Sequence, residues 1–417
     1  MPAEPRSRRR ARRASVYVLV LATAAIATAA GLGGILVQRT RLRAAATNAN
    51  IDAARLAAAS GLEYALARIK NDPNWRTSIG AGSWLDSAAL GNATLSVSVV
   101  DPEGDAIASD PVAPIVVQTL GRSGAARQAF DATIEFDRTS FSALQCAAYS
   151  GFFTYTELTT LTADAPVHSA GDMNALVATV NADAEAVGTI SGLTYARATQ
   201  SGASARTAPD ASLISGWAAM STPIPMTYFG GRKMWYICLN GGGSFNGYTP
   251  GTGGVYVIDC GGGDFIIQNC RIRATLVLVN ARVVTVTSSV RIDPYTSGYP
   301  SLIVQGQIRF QVSTAPLDER AGGAINFNPP GAPYLGVSDT DRLDTYPSGI
   351  SGIVFATDDI IVDNNLTVTG TLITLDSLTV RKPLTITYDP ALLTSGAPGF
   401  SGITPRLAAA GVERVAR

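Results

Sequence analysis

A six-residue repeat in the C-terminal part of the chain constrains the fold more than any other feature. Residues 360–389 read, in blocks of six, IIVDNN, LTVTGT, LITLDS, LTVRKP and LTITYD. Alternate residues of a strand point to the same side, and six residues provide one short strand and a corner. The pattern predicts a β-solenoid in which three blocks form a triangular coil and coils stack about 4.8 Å apart. One continuous strand of thirty residues would be far too long, so the remaining alternative is a flat meander.

The same period occurs about ninety-five residues earlier in the chain. The positions are Ile266, Ile272, Leu278, Val284 and Val290, and the phase resumes at Leu302 and Ile308. Both segments follow a glycine and close on an Asp-Pro pair. We therefore predict that residues 264–313 and 359–390 stack in one solenoid core, with Leu278 and Leu372 pointing inward.

The predicted solenoid domain covers residues 251–390. Residues 314–351 interrupt it, and their Pro, Gly and Asp content predicts a loop insertion. Cys260 lies six residues before Ile266, which predicts an inward position for its thiol as well. Residues 139–250 are predicted to be irregular and β-rich, with a short helix near 175–185.

An arginine-rich tip precedes an uncharged apolar segment. Residues 1–13 contain one acid, Glu4, and six arginines, Arg6, Arg8, Arg9, Arg10, Arg12 and Arg13. Val16–Val37 is long enough as a helix to cross a bilayer. Because the larger basic cluster stays in the cytoplasm, we predict a cytoplasmic segment 1–15, a single span 16–37 in the inner membrane and a periplasmic or cell-surface body. The alternative is a cleaved secretory signal, cut after Ala24 or Ala29.

An amphipathic helix is predicted for residues 38–72, continuous with the apolar span. Its apolar stripe is Leu42, Ala45, Ala49, Leu56, Ala59, Leu62, Leu66 and Ile69. Asn71-Asp72-Pro73 ends it. Residues 75–138 are predicted to form a small antiparallel β unit, with strands near 93–100, 115–120 and 126–136. Residues 391–417 are predicted to be a C-terminal tail.

Two segments of the helix resemble known proteins. Arg12-Arg-Ala-Ser-Val-Tyr-Val-Leu-Val-Leu21 and Ala57–Arg68 resemble minor pilins and pseudopilins, above all PilX-type N-terminal segments and the K subunit of type II secretion. The resemblance spans about residues 6–138. It implies a processing junction between Ala14 and Ser15 and packing of the helix against other pilin or pseudopilin helices.

The sequence departs from that family at two positions. Ala14 stands where the family usually has Gly, and Leu19 stands where major pilins carry Glu. Loss of that Glu is shared with the K subunits, so the resemblance implies a minor or tip subunit.

The side-chain inventory excludes several kinds of chemistry. The chain has one His, so His-based metal clusters are excluded and a catalytic triad is disfavoured; His168 lies outside both repeats. Lys plus Arg and Asp plus Glu are both 32, and the excess positive charge is confined to the tip, which argues against nucleic-acid binding. The four cysteines form no Cys-x-x-Cys pair and are predicted to be buried; a disulfide among Cys238, Cys260 and Cys270 is the alternative.

A short acidic run in the loop insertion is the candidate metal site. Asp339, Asp341 and Asp344 provide three carboxylates for calcium, which some pseudopilins bind, but the full calcium-loop pattern is missing. We therefore predict turn chemistry and no metal here, with calcium binding as the alternative. A second polar group, Asp264, Arg271, Arg273 and Arg282, would suit a carbohydrate-active β-helix enzyme. Neither group defines a catalytic residue, a cofactor or a small-molecule substrate.

The sequence thus predicts a mainly β protein: a long N-terminal transmembrane and amphipathic helix, a small antiparallel β unit and a C-terminal β-solenoid. We expect a non-enzymatic, pilin-like structural component of a type IV pilus or a type II secretion-like envelope assembly. The alternatives are a membrane-tethered β-solenoid adhesin or scaffold and a carbohydrate-active enzyme.

Overall fold

The computed structural model of the protein describes residues 7–72, 75–102, 112–195, 197–322, 325–394 and 396–415. The chain divides into two units: residues 1–137 with 403–417, and residues 138–402. The second unit is therefore an insertion in the sequence of the first. The predicted fold class is confirmed, because the chain is mainly β with a long apolar N-terminal helix.

The first unit begins with one long helix, α1 (Ser7–Asn71), followed by a single turn, α2 (Trp75–Ser78). The span and the amphipathic segment are parts of the same helix, since the sequence between them contains no helix breaker. Pro73, the predicted stop, lies outside the described residues, as does Arg6 of the basic tip.

An antiparallel sheet packs against the second half of this helix. Its strands are β1 (Gly82–Leu90), β2 (Ala93–Val100), β3 (Ile115–Ser123) and β4 (Ala126–Ser140), and the last strand of the chain, β29 (Ser401–Val415), lies beside β4. The hairpin between β3 and β4 turns at Gly124, whose φ of 55° suits glycine.

The predicted C-terminal tail is wrong, because residues 401–415 complete this sheet. Arg406 forms ion pairs with Glu135 and Asp137 of β4, with N–O distances of 2.6 Å to each. The strand β1 was also not predicted. The first unit therefore has a contiguous sheet built from two distant parts of the sequence.

The second unit is a β-solenoid of short parallel strands that form two arms. The first arm contains β5 (Ala148–Ser150), β6 (Phe153–Glu157), β7 (Thr160–Ala163), β8 (Val167–Ser169), β9 (Met173–Asn181), β10 (Asp183–Ala186), β11 (Ile190–Tyr195) and β12 (Ala198–Ser201). Residues 139–250 are thus not irregular throughout, and residues 175–185 form strand rather than helix.

The second arm begins at Ile224. Its solenoid strands are β13 (Ile224–Pro225), β14 (Lys233–Trp235), β15 (Cys238–Asn240), β16 (Val255–Gln268), β17 (Arg271–Arg273), β18 (Thr275–Ser288), β19 (Arg291–Asp293), β20 (Pro300–Val304), β21 (Gln307–Val312), β24 (Gly349–Ala356), β25 (Ile360–Val362), β26 (Leu366–Thr374), β27 (Ser377–Val380) and β28 (Leu384–Thr387). Between β21 and β24 the insertion loop, residues 313–348, forms a small two-stranded sheet, β22 (Leu317–Asp318) and β23 (Thr345–Tyr346).

Coil length differs along the solenoid. In the clearest part of the repeat Ile360 lies beside Leu378, so the coil is 18 residues long. Farther along the second arm Arg271 lies beside Arg291, a coil of 20 residues. The longer coils explain why the hexad phase is less regular there.

The two arms meet in the middle of the solenoid. The first strand of the first arm, β5, pairs with β26 near the end of the second arm. Residues 202–223, which include the short helix α3 (Leu213–Ala218), connect the outer ends of the two arms. The ends of the inserted unit therefore lie together, and the Phe141 amide donates to the Phe400 carbonyl at 3.1 Å.

Inward residues form the solenoid core. Leu278, Leu372 and Cys260 are buried in it, as predicted, and the two repeat segments stack directly through β21 and β25. The predicted inward position of Ile266 is wrong, because Phe265 and Ile267 point inward instead. The phase changes at a bulge between Asp259 and Gly263.

One outer face of the solenoid is covered by the insert's own connecting segments. Val257, Val277 and Phe355 point out of the solenoid core on this face, where Trp217 of α3 and Phe400 pack over them. The covered face explains why β16, β18, β20 and β24 carry continuous apolar runs rather than alternation.

Candidate functional site

The first half of α1 is an exposed apolar surface. Its most apolar 18 residues have a mean hydropathy of 2.1 and none is buried; Leu21, for example, is 69% exposed. Within the described residues, α1 is the one helix long and apolar enough to cross a membrane. An apolar cylinder of this length is unfavourable in water, so lipid or other helices must cover it.

The second half of α1 is docked on the sheet through small residues. Ala54, Ala58 and Gly61 are buried against β2 and β3. A Cβ added to Gly121 of β3 would lie 2.0 Å from the Ala54 carbonyl oxygen and 2.7 Å from the Ala58 amide nitrogen. Helix and strand backbones therefore approach so closely that β3 has no room for a side chain here.

The predicted apolar stripe is partly wrong. Leu62 and Ile69 are buried in the core of the first unit, but Leu56 is 68% exposed and Leu42 is exposed as well. Where helix and strand approach most closely, Ala54 and Ala58 face the sheet instead of Leu56. The second half of the helix thus also presents an unpartnered apolar side to its surroundings.

The predicted processing junction lies within α1. Ala14 and Ser15 belong to its helical backbone, and the first exposed apolar side chain described is Val16. Cleavage between them would leave the whole apolar segment in the mature chain. The junction stays a prediction.

The three acids of the insertion loop lie close together. Carboxylate oxygens of Asp339, Asp341 and Asp344 all lie within 4.8 Å of one another. The Nδ2 of Asn328 donates to both Asp339 and Asp344, at 3.3 and 3.1 Å. Asp341 accepts from the Leu343 amide at 3.0 Å, which is turn chemistry.

Mutual repulsion is visible in this acidic group. Partial burial, followed by the negative charge and hydrogen bond of Asp339, raises the pKa of Asp344 above its usual range. The oxygen donors would suit a hard cation such as calcium, yet the turn already uses several of them. The calcium interpretation stays a prediction.

His168 lies in an enclosed polar cluster. Its Nδ1 is 3.2 Å from Glu185, its ring stacks on Tyr149, and Arg206 donates to the same carboxylate at 2.7 Å. Burial lowers the pKa of His168 and outweighs the opposing effect of Glu185. A buried, neutral imidazole held in this way is placed for structure rather than for proton transfer.

The four cysteines all lie among the described residues and are free thiols. Cys146, Cys260 and Cys270 are fully buried, and burial raises the pKa of each thiol to about 12. Cys238 is half-buried, and burial raises its pKa too. The prediction of buried thiols is confirmed for Cys146, Cys260 and Cys270, whereas Cys238 is half-buried, and the described residues contain no disulfide.

The polar group considered for an enzyme is divided in two. Asp264 pairs with Arg282 at an exposed position, whereas Arg271 and Arg273 lie together on β17 beside the insertion loop. A pair of convergent carboxylates of the kind that glycoside hydrolysis uses is not found among these residues. Arg291 is not part of the predicted group, but the 20-residue coil places it next to Arg271.

Solved structures similar to this chain include the following two. One is the competence-associated pilin ComZ from Thermus thermophilus, with a TM-score of 0.35, 12% identity and coverage of 88% of this chain and 98% of that chain. The other is an ice binding protein from an Antarctic biological consortium, with a TM-score of 0.28, 14% identity and coverage of 59% and 89%.

No protein-family model matches the sequence, and the comparison with curated proteins gives no relative. At TM-scores this low we take neither similar structure as evidence of function. The functional proposals therefore rest on the residues of this chain.

Proposed function

We propose that this chain is a membrane-anchored, pilin-like subunit of an envelope assembly. Its helix would pack beside like helices of a type IV pilus or a type II secretion-like assembly, and its solenoid would be displayed outside the inner membrane. The observation that carries the proposal is the division of α1 into an exposed apolar half and a half docked on an antiparallel sheet.

The exposed side chains of the docked half favour a helical partner over lipid alone. Leu42 and Leu56 continue the apolar surface beyond the span, on a stretch that also carries Arg55 and Asp52. Lipid covers an uncharged segment well, but a mixed apolar and charged face is better covered by another helix. We propose no catalytic role for the solenoid, since His168 is buried and the acids of the loop hold turns.

Two experiments on the full chain test this function. N-terminal sequencing of membrane-fraction protein should find a chain that retains Val16–Val37, and a start at Ser15 would identify pilin-type processing. A start between Ala25 and Ala30 would instead identify a cleaved secretory signal and contradict the anchor.

Cysteine cross-linking in intact membranes tests the packing of the helix. Leu56→Cys, labelled with a maleimide that carries a photoactivatable group, should cross-link to a neighbouring helix on illumination. Background from Cys146, Cys260 and Cys270 should be low, because these thiols are buried and burial raises their pKa. Asp376→Cys, also exposed, is the matched control and should be labelled without being cross-linked. Labelling of both variants with cross-linking of neither would favour a tethered adhesin or scaffold.

A further inference from the structure

Three arginines occupy neighbouring positions on one face of the second arm. The register places Arg271 beside Arg291 and Arg273 beside Asp293 on successive coils, which are about 4.8 Å apart. Ile272 and Ile292, between them in sequence, point into the core, so these polar side chains point outward. The face thus carries three positive charges and one negative charge in a two-by-two array.

A cavity of about 320 Å³ lies over this array. Its other wall is the insertion loop, which contributes Tyr334, Leu335 and Gly336. The volume is at the small end of the range of ligand sites. A compact molecule, rather than a polymer, is the size of occupant that fits.

The arginines have different roles in this cavity. Arg271 is buried, and its guanidinium donates to the carbonyls of Phe327, Ala332 and Pro333, which fastens the loop over the solenoid. Its Nε is buried and lacks a hydrogen-bond partner among the described residues. Arg291 donates from Nε and Nη2 to the Asp293 carboxylate at 2.8 and 2.6 Å, so this pair is neutral overall.

Arg273 is the arginine of this array whose donors are unused within the described part of the chain. Among the described residues its side chain has no hydrogen bond or ion pair, and its guanidinium lies 5.3 Å from the centre of the Tyr295 ring. It is half-buried, and a partly desolvated charge without a counter-ion is unfavourable. An oxyanion in the cavity would satisfy the free donors of its planar guanidinium.

The mouth of the cavity is formed by a strained apolar turn. Leu335 has a φ of 48° and is 86% exposed, between Tyr334 and Val337, which bridge across the turn. The corresponding turn at Asn246-Gly247 uses the residue pair that such backbone angles favour. A positive φ is sterically unfavourable for a residue with a large side chain, and exposure of an apolar side chain to water is unfavourable as well. Backbone strain of this kind is often found at ligand-binding positions.

We propose that this cavity binds a compact oxyanionic ligand. A carboxylate or phosphate group would pair with Arg273, and any remaining part of the ligand would lie against Tyr334 and Leu335. This site is separate from the exposed helix surface, so it adds a binding activity to the structural function proposed above.

The test uses the full chain in detergent micelles at low ionic strength. Binding of glucuronate, inorganic phosphate and glucose is measured by calorimetry and by ligand-observed NMR. We expect saturable binding of one or both anions and none of glucose. Phosphate alone would identify a phosphate ligand, and preference for glucuronate would identify an acidic sugar.

Arg273→Gln should weaken anion binding about tenfold or more, since a charge-assisted pair is lost, and Arg273→Lys should have a smaller effect. The matched control is Arg282→Gln, which removes another arginine of the second arm and should bind normally. Leu335→Asn should weaken glucuronate but leave phosphate unchanged. Absence of anion binding, equal binding by Arg273→Gln, or equal loss in both Gln variants at unchanged thermal stability would overturn the proposal.

Discussion

At the scale of single residues, the enclosed cluster around His168 shows how burial controls charge. The imidazole faces Glu185, Arg206 and Tyr149, and its Nε2 is buried without a hydrogen-bond partner among the described residues. A proton added there would bring a second cation next to Arg206. The cluster therefore holds the ring neutral, although the carboxylate of Glu185 alone would favour the charged form.

This arrangement predicts acid sensitivity with a definite sign. The pKa of His168 is lowered in the folded state, so the unfolded chain takes up the proton first as pH falls below about 6.5. The free energy of unfolding should fall from pH 7 toward pH 5, by at most about 1.4 kcal/mol per pH unit. Urea titrations across this range measure the slope.

His168→Gln is the decisive variant, because the chain contains no other histidine. It should be less stable at pH 7 but should show a flatter dependence on pH between 5.5 and 7. A slope equal to that of the native sequence would assign the acid sensitivity to other groups, Glu185 first among them.

Individual residues also show where prediction from sequence ends. The core of the first arm contains Ala148, Ala163, Ala184 and Ala186. Alanines contrast little with their neighbours in hydrophobicity, so the sequence shows no clear six-residue repeat there. The hexads of 360–389 contain Leu, Ile and Val at the same inward positions and were recognised easily. The arginine cavity depends on the 20-residue coil, and a strict 18-residue repeat would have placed Ser289 beside Arg271.

At the scale of secondary-structure elements, the contact between α1 and β3 determines the geometry of the first unit. The sequence predicts a helix followed by strands, but its apolar stripe predicts only part of the docked face of the helix. That information lies in glycines and alanines, which permit close approach and give no strong apolar signal. The large residues of the predicted stripe were therefore assigned to the wrong side in part.

Adding one methyl group to β3 should separate these two elements. In Gly121→Ala the new Cβ meets the backbone of Ala54 and Ala58, which cannot move without displacing the helix. We expect a loss of about 1–3 kcal/mol, typical of overpacking. Hydrogen exchange of the β3 amides and limited proteolysis would measure it.

The matched control is Gly61→Ala on the helix side of the same contact. There the nearest atom to the new Cβ is Leu95 Cδ1, at 2.5 Å, which belongs to a flexible side chain. Alanine also favours the helix by about 1 kcal/mol over glycine, so this change should be close to neutral. Equal destabilisation by both substitutions would mean that β3 does not limit the approach.

At the scale of the whole molecule, the solenoid is an insert in a smaller protein. Its two ends are joined by backbone and side-chain hydrogen bonds, among them Ser140 Oγ to the Leu393 carbonyl at 2.5 Å. The neighbouring strands β4 and β29 belong to the other unit and pair with each other. Because β4 and β29 are neighbours in the sheet, a short turn could join them in place of the insert.

Deleting residues 141–400 and joining the ends with a short Gly-Ser turn should therefore leave a folded first unit. We expect a membrane-inserted protein in which β4 and β29 form a hairpin and resist protease. The comparison is a chain that stops at residue 400, which lacks β29 and exposes the edge of β4. If the deletion variant were degraded as quickly as the truncated chain, the two units would depend on each other for folding.

The meeting of the two arms has a consequence for the order of events during synthesis. The Tyr388 amide donates to Asp164, which lies 224 residues earlier in the chain. The coil that begins the first arm is therefore synthesised early and keeps one β edge unpaired until almost the whole insert has been synthesised. Contacts between such distant residues form slowly. Pairing of the first arm with the end of the second is therefore the step at which a folding factor would have the greatest effect.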